Sequence, residues 1–115
     1  MGNRIDKPWG YYLVLDDNEK YKIKKIVIYQ GQRISLQYHN YRSEYWIVVD
    51  GVGLLYINSK YRAVRAGDTY DILIRDVHRV QNIWDHDLVI IEIARGIIID
   101  EEDIIRLEDD YGRGK

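Results

Sequence analysis

Short runs of alternating apolar and polar residues extend along most of the chain, separated by clusters of turn-forming residues. The runs are rich in Ile, Val and Tyr, which favour β-strands. The clusters between them include Asp16-Asp17-Asn18 and Asp50-Gly51-Val52-Gly53. This pattern predicts strands over residues 11–15, 20–29, 33–39, 45–49, 54–57, 61–65, 69–74, 78–82 and 88–94. Many short strands at such spacing predict an all-β sandwich or barrel, with its core over about residues 11–95.

The segment 20–29 contains a change of phase. Its apolar residues occupy odd positions first and even positions later, which a regular strand with one buried face does not do. We therefore expect a β-bulge near Lys24 and Lys25. We interpret the lysines of this segment as a solvated strand face, with attraction of a substrate phosphate as the alternative.

The end of the chain differs in kind from the strands. Asp100 is a suitable N-cap, and acidic residues follow it where a helix N-terminus favours them. An apolar stripe of Ile104, Ile105 and Leu107 then predicts a short C-terminal helix within residues 100–115. The polar residues that follow are expected to form an extended arm or a frayed tail.

The amino-acid composition limits the expected binding partners and the ligands available to a metal. The 115 residues contain no linker, which predicts a single domain over residues 1–115. The net charge of −2 provides no general positive field, so neither nucleic acid nor a membrane surface is an expected partner. The absence of Cys leaves nitrogen and oxygen ligands for any metal. No stretch has the length of a membrane span, so the expected location is cytoplasmic.

Candidate chemistry lies on one side of the strand in residues 33–41. Its apolar side carries Ile34, Leu36 and Tyr38. Its polar side carries Ser35, Gln37, His39 and Tyr41. Taken alone, this alternation is typical of a strand with one wet face.

Two motifs extend this polar side into a recognisable pattern. The first reads His39-x-Tyr41-x-x-Glu44, followed by six residues and Gly51. The second reads Gly67, ten residues, His78, three residues and Asn82. Both resemble the conserved motifs of the cupin superfamily, in the correct order and spacing. Leu73 and Arg75 stand where cupins usually carry Pro and Gly.

The cupin resemblance implies a fold and a set of ligands. The fold is a single-domain double-stranded β-helix, or jelly-roll barrel. The implied metal ligands are His39, Glu44 and His78, and Tyr41 stands at the position of the family's second His. Because small cupins commonly dimerise by adding an N-terminal strand to the partner's sheet, a homodimer is expected.

A narrower resemblance covers nearly the whole chain. Residues 7–12, 21–24, 31–39, 42–46 and 104–113 look like the type II mannose-6-phosphate isomerase domain. This resemblance implies interconversion of mannose 6-phosphate and fructose 6-phosphate through an enediol, with a divalent metal, Zn²⁺ being the expected ion. In many relatives the domain follows a mannose-1-phosphate guanylyltransferase part. The chain carries no counterpart of that part, so we expect no nucleotide transfer from it.

An isomerase also needs a base and a phosphate anchor. Glu92 is the candidate base because apolar residues surround it in the sequence, although it could instead point to solvent from an edge strand. Arg33, Arg42 and Arg106 are candidates for phosphate binding, since a guanidinium grips phosphate through two hydrogen bonds. The alternatives are that Arg33 and Arg42 are surface charges and that Arg106 supports the end of the predicted helix.

Four further assignments complete the candidate site. Gln37, Tyr41, Arg42 and Arg106 are predicted to bind substrate, and Arg106 is also a candidate catalytic residue. A neutral phenol at Tyr41 is a poor ligand for a divalent ion, which leaves three functional hypotheses. The first is the isomerase, and the second is a non-catalytic cupin that binds a sugar or sugar phosphate. The third is a non-haem iron oxygenase, based on two His and one carboxylate.

Overall fold

The structure is a computed structural model that describes residues 3–97 and 101–113. The described residues form eleven strands and one turn of 3₁₀ helix over Glu101–Asp103. The strands are β1 (Arg4–Lys7), β2 (Gly10–Asp17), β3 (Tyr21–Ile28), β4 (Leu36–Tyr38), β5 (Arg42–Asp50), β6 (Val52–Ile57), β7 (Lys60–Arg65), β8 (Thr69–Ile72), β9 (His78–Asn82), β10 (Leu88–Gly96) and β11 (Ile105–Glu108).

These strands form two antiparallel sheets with the core between them. One sheet has the order β1-β2-β3-β10-β5-β8, and the other has the order β11-β4-β9-β6-β7. Fully buried aliphatic side chains fill the space between the sheets, among them Ile28, Leu55, Ile72, Leu88 and Ile90. The all-β prediction is confirmed. Alternation along β5 and β10 sends every second side chain inward over most of each strand, which positions the candidate site.

The bulge expected in β3 is wrong. β3 pairs with β10 from Tyr21 to Ile28 without interruption, and the irregularity lies in β2, between Val14 and Asp16. From Lys24 to Ile28 the even positions of β3 are buried, and Lys24 itself is only 6% exposed. The apparent change of phase arose because a lysine occupies an inward position. The interpretation of this segment as a solvated lysine face therefore fails for Lys24.

The predicted C-terminal helix is also wrong. After the 3₁₀ turn, β11 pairs with β4, placing Ile105 opposite Tyr38 and Arg106 opposite Gln37. The ladder gives the backbone partners that a short isolated helix would have to find within itself. The predicted cap, Asp100, lies outside the described residues.

The residues after β11 are held against the body of the protein. The Asp110 carboxylate accepts two hydrogen bonds of 2.7 Å from the Arg33 guanidinium. The Tyr111 hydroxyl donates to the side chain of Gln32, and its ring packs against the core. The expected frayed tail is therefore a docked segment as far as Arg113.

Two motif residues have structural roles in the loops. Asn82 is buried, and its amide donates to the carbonyls of Ile28 and His86 at 2.8 and 2.7 Å. Gly51 adopts a φ of 99° in the turn between β5 and β6, a conformation that favours glycine. Arg75 has a φ of 70° at the position where cupins usually carry Gly.

Among the described residues, no helix is long and apolar enough to cross a membrane.

Candidate metal centre and adjoining cavity

Three residues from separate strands converge inside the barrel. His39 follows β4, Glu44 lies in β5 and His78 begins β9. The pairing of Gln37 with His78 brings β4 beside β9, and the alternation of β5 turns Glu44 inward. The three side chains are nearly fully buried, and each contributes one potential ligand atom within 4.8 Å of the others. We call them the His–Glu–His triad.

Backbone carbonyls fix the tautomers of both histidines. His39 Nδ1 lies 3.1 Å from the carbonyl of Asp103, and His78 Nδ1 lies 2.8 Å from the carbonyl of Asp76. A carbonyl only accepts hydrogen bonds, so each Nδ1 carries the proton and each Nε2 carries a lone pair. Neither Nε2 atom has a hydrogen-bond partner within the described part of the chain. Carbonyl-oriented imidazoles with free Nε2 atoms are typical of metal ligands.

The triad carries the charges that metal binding requires. Burial lowers the pKa of His39 to about 4, against the opposing effect of Glu44, and burial also lowers the pKa of His78. Burial alone would raise the pKa of Glu44, but Arg42, His39 and His78 outweigh it and lower that pKa to about 2. The site therefore offers two neutral imidazoles and one carboxylate near neutral pH, a donor set that fits Zn²⁺ and related divalent ions.

Glu44 is held by two neighbours on its own strand. Arg42 places Nε and Nη2 each 2.8 Å from Glu44 Oε2, and the Trp46 indole donates to Oε1 at 2.9 Å. The three side chains point inward at alternate positions of β5. Arg42 is 3% exposed, so its interpretation as a surface charge is wrong.

A cavity adjoins the triad at Glu44. The cavity has a volume of about 60 Å³ and is open to solvent at its mouth. Glu44 is the triad residue that lines it. Its wall also contains Glu92 and five cationic residues, which are Lys7, Lys24, Arg42, Arg106 and Arg113. Five cations against two carboxylates make the cavity electropositive in a chain of net charge −2, which favours an anionic ligand.

Glu92 lies in the wall of this cavity, on the central strand β10. It sits opposite Lys24 on β3 and Trp46 on β5, and it is 4% exposed, so the solvent-facing alternative is wrong. Burial, together with the negative charge of Glu44, raises the pKa of Glu92 to about 7. Its Oε2 atom has no hydrogen-bond partner among residues 3–97 and 101–113. A buried carboxyl with this pKa is suited to exchange protons with a ligand.

The other predicted site residues divide into two groups. Gln37 and Arg106 face each other on β4 and β11, and both line the cavity. Arg106 Nε is buried and lacks a hydrogen-bond partner in the described ranges. Tyr41 lies in the bend before β5, is 49% exposed and does not line the cavity, so its role in substrate binding stays a prediction. Arg33 is bound to Asp110 away from the cavity.

Sequence reasoning missed several residues of the site. Lys7 and Arg113, near the two ends of the chain, both line the cavity, and nothing in their local sequence indicates this. Lys24 could have been found, because it shares the even phase of Ile26 and Ile28 on β3. Asp103 contacts His39 across 64 positions of sequence, which no local pattern predicts.

Several solved structures have the same fold as this chain. An RmlC-like cupin from Shewanella frigidimarina NCIMB 400 superposes with a TM-score of 0.76 and 18% identity, covering 88% of this chain and 87% of that chain. KdgF from Halomonas sp. superposes with a TM-score of 0.78 and 13% identity, covering 87% and 89%. These identities establish the fold alone. The barrel and the buried His–Glu–His triad together define a cupin.

Comparison of amino-acid sequences identifies the family within the cupins. Residues 1–109 match the family described as mannose-6-phosphate isomerase C-terminal, and the chain belongs to this family. The curated relatives include the mannose-1-phosphate guanylyltransferase ManC of Salmonella typhimurium, 33% identical over 98% of this chain and 24% of the relative. They also include the alginate biosynthesis protein AlgA of Pseudomonas aeruginosa, 39% identical over 95% and 23%. The chain thus spans about a quarter of the length of these relatives.

Proposed function

We propose that the protein is a mannose-6-phosphate isomerase-type enzyme that interconverts mannose 6-phosphate and fructose 6-phosphate. The observation that carries this proposal is the position of Glu44, which belongs both to the His–Glu–His triad and to the wall of an electropositive cavity. The same wall contains Glu92, a buried carboxyl with a raised pKa. A divalent-ion site, a proton-transfer group and cations for a phosphate are thus adjacent, as aldose–ketose isomerisation requires.

The chain's own residues supply the proton transfer. Isomerisation moves a proton between the two adjacent carbons that exchange the carbonyl and hydroxyl functions. Glu92 in its ionised form accepts the proton from one carbon, and the resulting carboxylic acid returns it to the neighbouring carbon. In the same conversion the hydroxyl proton passes from the oxygen that becomes the carbonyl to the oxygen that becomes the hydroxyl. A pKa of about 7 lets both forms of Glu92 exist near neutral pH, which suits a group that must accept and return the same proton.

Cationic side chains in the cavity bind the phosphate in this proposal. Arg106 lines the cavity opposite Gln37, and its buried Nε atom has no hydrogen-bond partner among the described residues. A guanidinium is suited to hold a phosphate through two parallel hydrogen bonds. Arg42, which is bound to Glu44, adds positive charge next to the reacting carbons. Gln37, which lines the same cavity, would bind a sugar hydroxyl.

The triad residues His39, Glu44 and His78 would hold the divalent ion, with Zn²⁺ as the proposed species. When bound, such an ion polarises a carbonyl oxygen as a Lewis acid. The free Nε2 atoms of both histidines support this assignment. Arg42 and Trp46 keep the Glu44 carboxylate ionised and oriented.

The test is turnover by metal-loaded protein. The full chain is stripped with a chelator and reloaded with Zn²⁺, and formation of fructose 6-phosphate from mannose 6-phosphate is followed. We expect activity that chelation removes and Zn²⁺ restores, with no turnover of unphosphorylated mannose. Metal-loaded protein that binds mannose 6-phosphate and does not convert it would overturn the enzymatic proposal.

One observation favours a second candidate, a non-catalytic cupin that binds a sugar phosphate. Tyr41, which stands at the position of the family's second His, lies outside the cavity, and both Glu44 oxygens already accept hydrogen bonds. Such a protein would bind mannose 6-phosphate with or without metal. The substitution Tyr41→His separates the candidates, because in a binding protein it would raise metal content without changing affinity for the sugar phosphate.

A further inference from the structure

The 3₁₀ turn before β11 contacts the metal centre through Asp103. This residue is 4% exposed, and its carbonyl oxygen lies 3.1 Å from His39 Nδ1. Its carboxylate accepts hydrogen bonds from the backbone amides of Asn40 and Tyr41, each at 2.9 Å. Asp103 therefore binds three consecutive residues, and the first of them is a triad member.

We propose that Asp103 is a positioning residue that sets the tautomer and orientation of His39 as a metal ligand. This inference rests on the metal site of the proposed function. The Asp103 carbonyl fixes the proton on Nδ1, which directs the Nε2 lone pair toward Glu44 Oε2, 3.2 Å away. The two hydrogen bonds that the carboxylate accepts from the backbone amides of Asn40 and Tyr41 hold that carbonyl in place.

The two histidines of the triad are oriented in different ways. His78 uses the carbonyl of Asp76, which is two positions away in the same loop. His39 uses a carbonyl 64 positions away, which reaches it only when the C-terminal segment is docked. The same segment continues into β11 and places Arg106 in the cavity. Docking of this segment therefore completes the metal centre and the anion-binding wall together.

The test compares variants of Asp103 in the full chain. Asp103→Ala removes both carboxylate bonds, and Asp103→Asn keeps one acceptor oxygen and loses the other. Asp110→Asn is the matched control, because it alters the Arg33 contact beyond β11, leaves the β11–β4 ladder in place and changes no printed contact of the triad. Two quantities are measured: the His39 tautomer in chelator-treated protein, by long-range ¹H–¹⁵N NMR, and the Zn²⁺ affinity, by competition with a chelator.

We expect His39 in the unsubstituted protein to carry its proton on Nδ1. The alanine variant should populate both tautomers and bind Zn²⁺ about 10- to 100-fold more weakly. The asparagine variant should lie between, and Asp110→Asn should match the unsubstituted protein in both measurements.

Three other results bear on the inference. A folded Asp103→Ala variant with an unchanged tautomer and unchanged Zn²⁺ affinity would overturn it. If the alanine variant does not fold, the asparagine variant decides in the same way, because it retains one of the two bonds. If the unsubstituted protein binds no Zn²⁺, the metal chemistry of the proposed function fails, whereas the tautomer comparison in metal-free protein still decides the role of Asp103.

Discussion

Lys24 and Glu92 face each other across β3 and β10, and both are buried in the cavity wall. Burial lowers the pKa of the Lys24 amine, and the charge of Glu92 partly opposes this effect. The amine also lies 4.2 Å from the centre of the Tyr12 ring, a cation–π contact. Burying two ionisable groups in a core costs free energy. Binding of a ligand therefore explains the presence of Lys24 and Glu92 in this wall better than a contribution to stability does.

Replacing Glu92 tests its role as the base. Glu92→Gln preserves the size of the side chain and removes the proton-accepting carboxylate. We expect turnover to fall by about 10²- to 10⁴-fold, the usual contribution of a general base, with mannose 6-phosphate binding retained. Steady-state kinetics and calorimetric titration measure the two effects. The control is Glu19→Gln, which lies at an exposed position and should change neither turnover nor binding. Full activity of Glu92→Gln would show that Glu92 is not the base.

Replacing Lys24 separates stability from ligand binding. Lys24→Met keeps a similar shape and removes the cost of a buried amine, so the melting temperature should stay constant or rise. The affinity for mannose 6-phosphate should fall about 10-fold, since one cation is lost from the cavity wall. Lys22→Met is the control, because Lys22 lies on the same strand and is not part of that wall. A large loss of stability with unchanged affinity would show that Lys24 serves the fold.

At the residue scale, sequence predicted the triad and part of its surroundings. His39, Glu44 and His78 were predictable because they match the two family motifs, and the fold brings them together from the two sheets. The sequence left open whether Arg42 is a surface charge or a site residue. Arg42 and Glu44 occupy alternate positions of β5, so both side chains point inward. Asp103 was beyond prediction, because its contact depends on where a distant segment docks.

Among the elements, the strands were predictable and the C-terminal segment was not. The repeated alternation of apolar and polar residues locates the strands of the barrel, since each presents one face to the core. Residues 101–108 carry aliphatic side chains that fit a short helix as well as a strand. Their conformation is decided by the open edge of β4, which supplies hydrogen-bond partners for β11. Local sequence contains no information about that edge.

Docking of the end of this segment should depend on pH. The Asp109 side chain is 1% exposed and accepts hydrogen bonds from the Arg113 backbone amide, Nε and Nη2. The hydrogen bond from the Arg113 side chain lowers the pKa of Asp109 below its ordinary value of 3.8, while burial opposes this shift. A lowered pKa in the folded state stabilises the protein above pH 3.8, and this contribution is lost as the pH falls through the lowered value.

Asp109→Asn should therefore destabilise the protein only where the carboxylate is ionised. We expect a loss of about 1.5 to 3 kcal/mol at pH 6, the usual contribution of a hydrogen bond to a charged group, and a smaller loss at pH 3. Thermal unfolding of both proteins at the two pH values measures this difference. Asp85→Asn, in an exposed loop, is the control and should show no difference at either pH. A loss that stays constant with pH would mean that the carboxylate charge is unimportant.

An ion bound by the triad should stabilise the whole molecule. A ligand that binds only the folded state adds about 2.7 kcal/mol at a free concentration of 100 times its Kd. We expect Zn²⁺ to raise the melting temperature of chelator-treated protein and to protect the C-terminal segment from hydrogen exchange. His78→Ala removes one ligand and should abolish the shift. An equal shift in that variant would place Zn²⁺ elsewhere on the protein.

The cavity wall contains Lys7 from one end of the chain and Arg113 from the other. Since a fully extended residue spans at most about 3.6 Å, the point where a segment joins Met1 lies within roughly 25 Å of Lys7. A purification tag at either end would thus share the space through which a ligand reaches the cavity, and a polyhistidine tag would bring competing metal ligands to that place. Assays of metal content and turnover should therefore use protein from which every tag has been cleaved.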